Sequence, residues 1–324
     1  MDIYKIFAIT TFLTIPTALF AHDDHEVDRC AVVAQSVTDA GFSDVVTVEC
    51  VDGQALLHSS TYPDHELMTG IVGSNEQIPV PAVDYTAPIP LEPVLGTDPQ
   101  TRDAALGVAV NGVPIYDSTG GGEMSQADLQ HYQEQHDTLQ TQQLDICGGH
   151  AGKGNDYHYH VKPVCMMEHM LNADNNPIIG WAYDGFPIYG DDNPDGTAIA
   201  EGALDICNGQ ADTEFGYRYQ TSTKPPYIIQ CLMGEVASMK DLPRVAPMQA
   251  AGGGRGPSDG RPPQGGVENL VFTQDDAGTR LMTYVYEGKD YYMKYTPSAT
   301  ENCYNFETKT VTDNGEIYTG ELCR

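Results

Sequence analysis

Apolar positions in this chain recur mostly with a period of two, and Gly, Asn, Asp and Pro interrupt them. That pattern predicts half-buried strands joined by tight turns. The exceptions are few. CAVVAQSVTDAGF, from Cys30, reads as a short helix, followed by strands in DVVTVEC and QALLHSST around a turn at Asp52-Gly53. Residues 75–99 are rich in Pro and lack periodicity, which predicts extended coil or edge strand. Near residue 125, Ser125 and Asp128 are placed to cap a helix that would carry Leu129, Tyr132, His136 and Leu139 on one face. LMTYVYEGKDYYMKYTP predicts a hairpin around Gly288-Lys289, and ETKTVTDNGEIYTGELC another around Asn314-Gly315. Between these regions, residues 249–266 are a Gly/Pro-rich stretch with no means of burying a core.

The pattern also repeats. GVAVNGVPIY at 107–116 aligns with GWAYDGFPIY at 180–189, and LDICGGH at 144–150 with LDICNGQ at 204–210. DYHYH at 156–160 aligns with GYRYQ at 216–220. Three blocks in the same order establish a tandem duplication, with two copies expected to pack as one pseudo-symmetric unit. The copies differ in two respects. The first holds 13 more residues between its first two blocks, and it alone carries His150, His158 and His160. Gln210, Arg218 and Gln220 stand at the matching places.

Charge and cysteines then narrow the setting. The 324 residues carry 46 Asp and Glu against 16 Lys and Arg, a formal net charge of −30. Such a surface repels nucleic acid and anionic lipid, and is the pattern expected of a protein adapted to salty surroundings. Lys5 followed by IFAITTFLTIPTALFA reads as a signal peptide over residues 1–21, so the mature chain is expected to be exported, periplasmic or extracellular, with no membrane span. Eight cysteines in an oxidising compartment predict disulfides. Nearest neighbours would pair Cys30 with Cys50, Cys147 with Cys165, Cys207 with Cys231, and Cys303 with Cys323, one of 105 connectivities that eight cysteines allow.

Side chains alternate faces along a strand, so His158 and His160 point one way and Tyr157 and Tyr159 the other. Two imidazoles spaced i and i+2 lie roughly 7 Å apart at Cα, within reach of one ion. His150 can fold back over the Gly-rich GHAGKGND. A strand of this kind can also be plain half-buried scaffold. The second copy separates the two readings, because it keeps Tyr217 and Tyr219 while losing every histidine. The tyrosine face is therefore the scaffold and the histidine face the site. Three imidazoles predict an open site for Cu or Zn, with a coordination position left for water or substrate.

Other residues offer weaker signals. His65, beside Pro63 and Asp64, is a candidate fourth ligand. Met166, Met167, His169 and Met170 in CMMEHM are soft donors that would suit Cu(I), though methionine clusters more often fill a core. Cleavage after Ala21 would expose an amino-terminal His22 able to chelate copper. Asp191, Asn193 and Asp195, followed by Gly196, resemble the opening of a Ca2+ loop, but residue 202 is Gly where a Glu is required. No G-x-S-x-G, Walker loop, dinucleotide fingerprint or H-E-x-x-H occurs in the chain.

LDICGGH and DYHYH, set between GVAVNGVPIY and WAYDGFPIYG, resemble the YHYH-domain proteins, named for that tetrapeptide. TYPDHELMTG and VDYTAPIP upstream and PPYIIQCLMG downstream extend the resemblance over about residues 55–234. The resemblance implies a secreted domain, places His65 in a motif, and says little about activity. Family members typically carry histidines in both copies, so Gln210, Arg218 and Gln220 argue against a symmetric two-site mechanism here.

The reading is a mainly β protein: a tandem-duplicated, disulfide-bonded β domain with a small N-terminal α+β segment and a C-terminal β-hairpin unit. Its expected divisions are 1–21 signal peptide, 22–54 N-terminal segment, 55–235 duplicated domain, 236–266 linker and 267–324 C-terminal unit. The expected function is transition-metal binding at His150, His158 and His160, with His65. An enzyme on such a site would be a metal-dependent hydrolase or a copper redox enzyme. The alternative is a non-catalytic extracellular interaction module, stabilised by disulfides and Ca2+.

Overall fold

The computed structural model describes residues 28–120, 122, 124–251 and 263–324. The expected signal peptide, His22 and most of the Gly/Pro-rich stretch lie outside the described residues. The chain is mainly β, as its period-two patterning requires. Helix α1 (Arg29–Ala40) begins at Asp28, whose side chain accepts from Ala31 N (3.1 Å), and it buries Cys30, Val33, Val37 and Ala40. Strands β1 (Thr47–Val51) and β2 (Gln54–Ser59) form the expected hairpin, and β3 (Tyr85–Pro90) adds to its edge. The Pro-rich stretch thus supplies an edge strand, where missing N–H groups cost no ladder bond. It then continues into β4 (Leu95–Gln100).

The duplication builds one eight-stranded sheet. Copy one contributes β5 (Gly107–Ala109), β6 (Pro114–Ile115), β7 (Gly149–Ala151) and β8 (Tyr157–Tyr159). Copy two contributes β9 (Ile178–Ala182), β10 (Pro187–Tyr189), β11 (Gly209–Asp212) and β12 (Gly216–Gln220). Their order, β11-β12-β10-β9-β5-β6-β8-β7, reads as the same four-strand arrangement run outward from the central antiparallel pair β5–β9. Within each copy the inner hairpin pairs in parallel with the outer one, Ile115 opposite Tyr159 and Ile188 opposite Tyr219. The pseudo-two-fold is therefore a property of the hydrogen-bonded sheet as well as of the sequence. Trp181 on β9 is fully buried, and its indole N–H donates to Ser36 of α1 (3.0 Å), which fixes the helix to the sheet.

Strand β13 (Leu232–Gly234) pairs with β4. The last part of the chain is an antiparallel sheet of β14 (Gln249–Ala250), β15 (Glu268–Gln274), β16 (Arg280–Tyr286), β17 (Lys289–Pro297), β18 (Cys303–Lys309) and β19 (Ile317–Cys323). The first C-terminal hairpin turns at Glu287 and Gly288, both with positive φ, as a two-residue turn requires. This sheet is docked on the domain. Glu76, 2% exposed, accepts from Tyr284 Oη, Val311 N (2.7 Å) and Thr312 N (3.0 Å), and Tyr295 donates to the Pro79 carbonyl (2.7 Å).

The four disulfides are Cys30–Cys50, Cys147–Cys165, Cys207–Cys231 and Cys303–Cys323. One element differs from expectation. The helix after Ser125 stops after one turn, as α2 (Gln126–Leu129), despite a complete capping box between Ser125 and Asp128. A separate 3-10 turn covers Glu134–His136. Further on, the Asp137 side chain accepts from Leu139 N (2.8 Å), Gln140 N (3.0 Å) and Tyr132 Oη (2.5 Å), so local bonds replace a helical ladder over the segment expected to carry Leu139.

Candidate metal centre

The tyrosine face of the outer hairpins is scaffold. Tyr157 donates to Asp145 (2.9 Å), and in copy two Tyr217 donates to Asp205 (2.8 Å). Each carboxylate also takes two backbone N–H groups of its own loop: Cys147 and Gly149 for Asp145, Cys207 and Gly209 for Asp205. Gly149 and Gly209 lie against the tyrosine rings, where a Cβ would approach to 2.6 Å and 2.0 Å. That explains the glycine at this place in both copies. Tyr159 meets Asn111 (3.0 Å), and Tyr219 donates to Asp184 at the equivalent position.

On the opposite face of β7 and β8 the three histidines converge. Their ring centroids are 5.0 Å (His150–His158), 4.9 Å (His150–His160) and 4.8 Å (His158–His160) apart, each pair edge to face. Each offers a nitrogen, and the three lie within 4.8 Å of one another. The Nε2 atoms of His150 and His160 are 3.1 Å apart. Nitrogens bound tetrahedrally at about 2.0–2.1 Å would sit about 3.4 Å from each other, so small ring movements suffice to seat one ion.

The far sides of the rings are held by oxygen. His160 Nδ1 bonds the Asp117 carbonyl. His158 Nδ1 bonds the Asp156 carbonyl (3.2 Å) and lies 3.4 Å from Asp156 Oδ2. The carbonyls behind His158 and His160 leave their inward nitrogens as electron-pair donors, which is how ligating histidines are oriented. Burial, and then His158, push the His150 imidazole down to about 3. Burial, then His158 and His150, hold His160 well below its ordinary value. Burial acts to raise the Asp156 carboxyl, but His158, a backbone bond and Arg324 outweigh it and hold it below the usual range.

Sequence reading expected an open site. The site is closed to solvent, with His150, His158 and His160 only 7%, 4% and 3% exposed. Tyr116, which follows β6, stacks on His158 with centroids 3.9 Å apart and leans on His160 at 5.7 Å. Tyr116, Asp117 and Asp156 do not stand out in the sequence as site residues. Only Asp156 had a visible signal, as the acid opening DYHYH.

His65 does not join the cluster. Its Nδ1 donates to the Glu66 carbonyl (2.8 Å) and its Nε2 accepts from Tyr159 (2.7 Å), which places it on the tyrosine face, across the sheet from the triad. The residues of the expected Ca2+ loop pair with neighbouring side chains and backbone. Asp191 binds Lys162 (2.7 Å), Asn193 Oδ1 takes Arg218 (2.6 Å) and Gln210 (3.1 Å), and Asp195 takes Thr197 N (3.0 Å). Met166 and Met170 are buried in the core, 0% and 5% exposed, while His131 and His136 are exposed.

Copy two shows what replaced the histidines. The Arg218 guanidinium occupies the place of His158, bonded to Asp212 (2.5 Å) and Asn193 (2.6 Å). Gln220, with its amide turned to satisfy both neighbours, donates to the Gly190 carbonyl (2.5 Å) and accepts from Arg218 Nε (2.8 Å). Gly190 aligns with Asp117, whose carbonyl holds His160. A fixed organic cation thus fills the position equivalent to the histidine cluster.

The fold and site define a duplicated, disulfide-bonded β domain with one buried three-histidine cluster. The family model described as YHYH protein matches residues 86–199, and the chain carries a domain of that family there. No curated protein and no solved structure matches the chain.

Proposed function

We propose that this is an exported transition-metal-binding protein whose ion, Cu or Zn, is held by His150, His158 and His160. The observation that carries the reading is the orientation of the rings. Backbone carbonyls behind His158 and His160 turn their other nitrogens toward His150, and the three rings offer ligand atoms within 4.8 Å of one another in a buried site. Three imidazoles buried this closely, with carbonyls holding the outer nitrogens of two of them, make a ready set of donors for one cation. Arg218 at the equivalent place in copy two supports the same requirement. Four disulfides suit an oxidising compartment, and the apolar start of the chain suits export. Among the described residues no helix is long and apolar enough to cross a membrane.

Burial of the cluster favours holding the ion over processing a large substrate at it. The test is metal content after purification from an export-competent host, by elemental analysis, followed by titration with Cu2+ and Zn2+. Stoichiometric metal that is lost in His158→Ala/His160→Ala is expected. A folded wild-type chain that takes up neither ion would falsify the proposal.

A further inference from the structure

We infer that the Cys147–Cys165 disulfide is the oxidised form of a second metal site, which reduction converts into a thiolate–imidazole set for Zn2+ or Cu+. The set comprises Cys147, Cys165, His65 and His169. It lies on the tyrosine face of the β7–β8 hairpin, across the sheet from the histidine triad, and does not depend on metal binding there.

The geometry comes from three directions. His65, Cys147 and Cys165 present ligand atoms within 4.8 Å of one another. Cys165 and His169 stand four residues apart on helix α3 (Val164–His169), so they share one helical face. The His169 ring lies 6.4 Å from that of His65. Two sulfurs and two imidazoles are a donor set preferred by tetrahedral Zn2+, and thiolates also select Cu+. His65 is already oriented for ligation. Its Nδ1 proton goes to the Glu66 carbonyl, leaving Nε2 as the nitrogen with an available electron pair, now shared with the Tyr159 hydroxyl.

The second copy again serves as a control. Cys207–Cys231 closes the corresponding loop, but Tyr219, the counterpart of Tyr159, accepts from Met233 N (2.8 Å) where Tyr159 meets an imidazole. Among the described residues, the Cys147 pair is the one disulfide in such a cluster.

The exposures suggest how the site is unlocked. Cys147 is fully buried, Cys165 is partly exposed, and the His169 side chain is 47% exposed. A thiolate of an external dithiol attacks Cys165 Sγ, forming a mixed disulfide and releasing the Cys147 thiolate. The second thiol of that reductant then attacks its own sulfur in the mixed disulfide and frees Cys165. Two electrons pass from the dithiol, which leaves as its own disulfide, to the cysteine pair. Metal binding keeps both cysteines deprotonated, and their protons go to solvent.

The experiment uses the full chain carrying His158→Ala/His160→Ala, so that any metal bound belongs to this second site. Co2+ and Zn2+ are added before and after anaerobic treatment with a phosphine reductant, and alkylation with mass mapping reports which cysteines are free. Before reduction no Co2+ is taken up. After reduction one equivalent is expected, with thiolate-to-cobalt charge-transfer absorption. That absorption should persist in Cys207→Ser/Cys231→Ser and disappear in His65→Gln/His169→Gln, which keeps every cysteine and is checked for an unchanged circular dichroism spectrum. The proposal is overturned if free Cys147 and Cys165 thiols bind no Co2+, or if the band survives loss of both histidines.

Discussion

His150 and His160 meet through their Nε2 atoms at 3.1 Å, while His160 Nδ1 bonds the Asp117 carbonyl. That bond leaves His160 Nε2 with an electron pair facing His150, and a cation seated there would draw on both rings. Bound metal is therefore expected to stabilise the fold. At free metal 100 times the dissociation constant the gain is about 2.7 kcal/mol. Denaturant unfolding with and without Zn2+ should show this increment in the wild type and none in His160→Ala. An equal increment in the variant would assign the stabilisation to another site.

Asp156 is the acid behind His158. Its Oδ2 is buried, 3.4 Å from His158 Nδ1, and makes no hydrogen bond among the described residues. Metal on the opposite nitrogen would make the Nδ1 proton a stronger donor and draw it onto this carboxylate. Asp156→Asn should therefore weaken metal binding about 10–100-fold, the usual cost of losing such a partner. Competition titration against a chelator of known affinity measures it, and unchanged affinity would remove Asp156 from the site.

Tyr116 stacks on His158 at 3.9 Å and is only partly buried, so it stands between the cluster and solvent. Tyr116→Ala should speed extraction of bound metal by excess chelator at least several-fold. Tyr116→Phe keeps the ring and should match the wild type. Identical stopped-flow rates for the alanine variant would show that metal leaves by another route.

Asp184 supplies a pH signature of the scaffold. Burial raises its carboxyl from the usual 3.8 to about 6, against lowering bonds from Tyr219, Gly234 N and Phe186 N. The folded protein holds this proton more tightly than the unfolded chain, so the linked stability is fully present below 3.8 and is lost as pH rises through about 6. At about 1.4 kcal/mol per pH unit that amounts to about 3 kcal/mol. Asp184→Asn, which copies Asn111 of the first repeat, removes the titration. The stability of the wild type relative to this variant should fall by most of that amount between pH 4 and pH 7.5, measured by urea unfolding. A constant difference would contradict the shift.

Much of this was legible one residue at a time. Period-two alternation placed Tyr157 and Tyr159 on one face and His158 and His160 on the other, because successive strand side chains must point oppositely. The loss of every histidine from GYRYQ marked copy one as the site. Nearest-neighbour spacing matched the four cysteine pairs of the structure. Local chemistry could not say where elements meet. Tyr116 and Asp117 reach the histidines because β6 pairs in parallel with β8, and that pairing joins residues 44 positions apart, Ile115 with Tyr159. His65 looked like a fourth ligand from its motif, yet it faces Tyr159 and so the opposite side of the sheet. Burial likewise belongs to the assembled molecule, since an open and a closed three-histidine site have the same spacing. Alternation along a strand is set by covalent geometry and can be read from the chain. Which strand lies beside which, and what covers a face, depends on long-range packing and had to come from the fold.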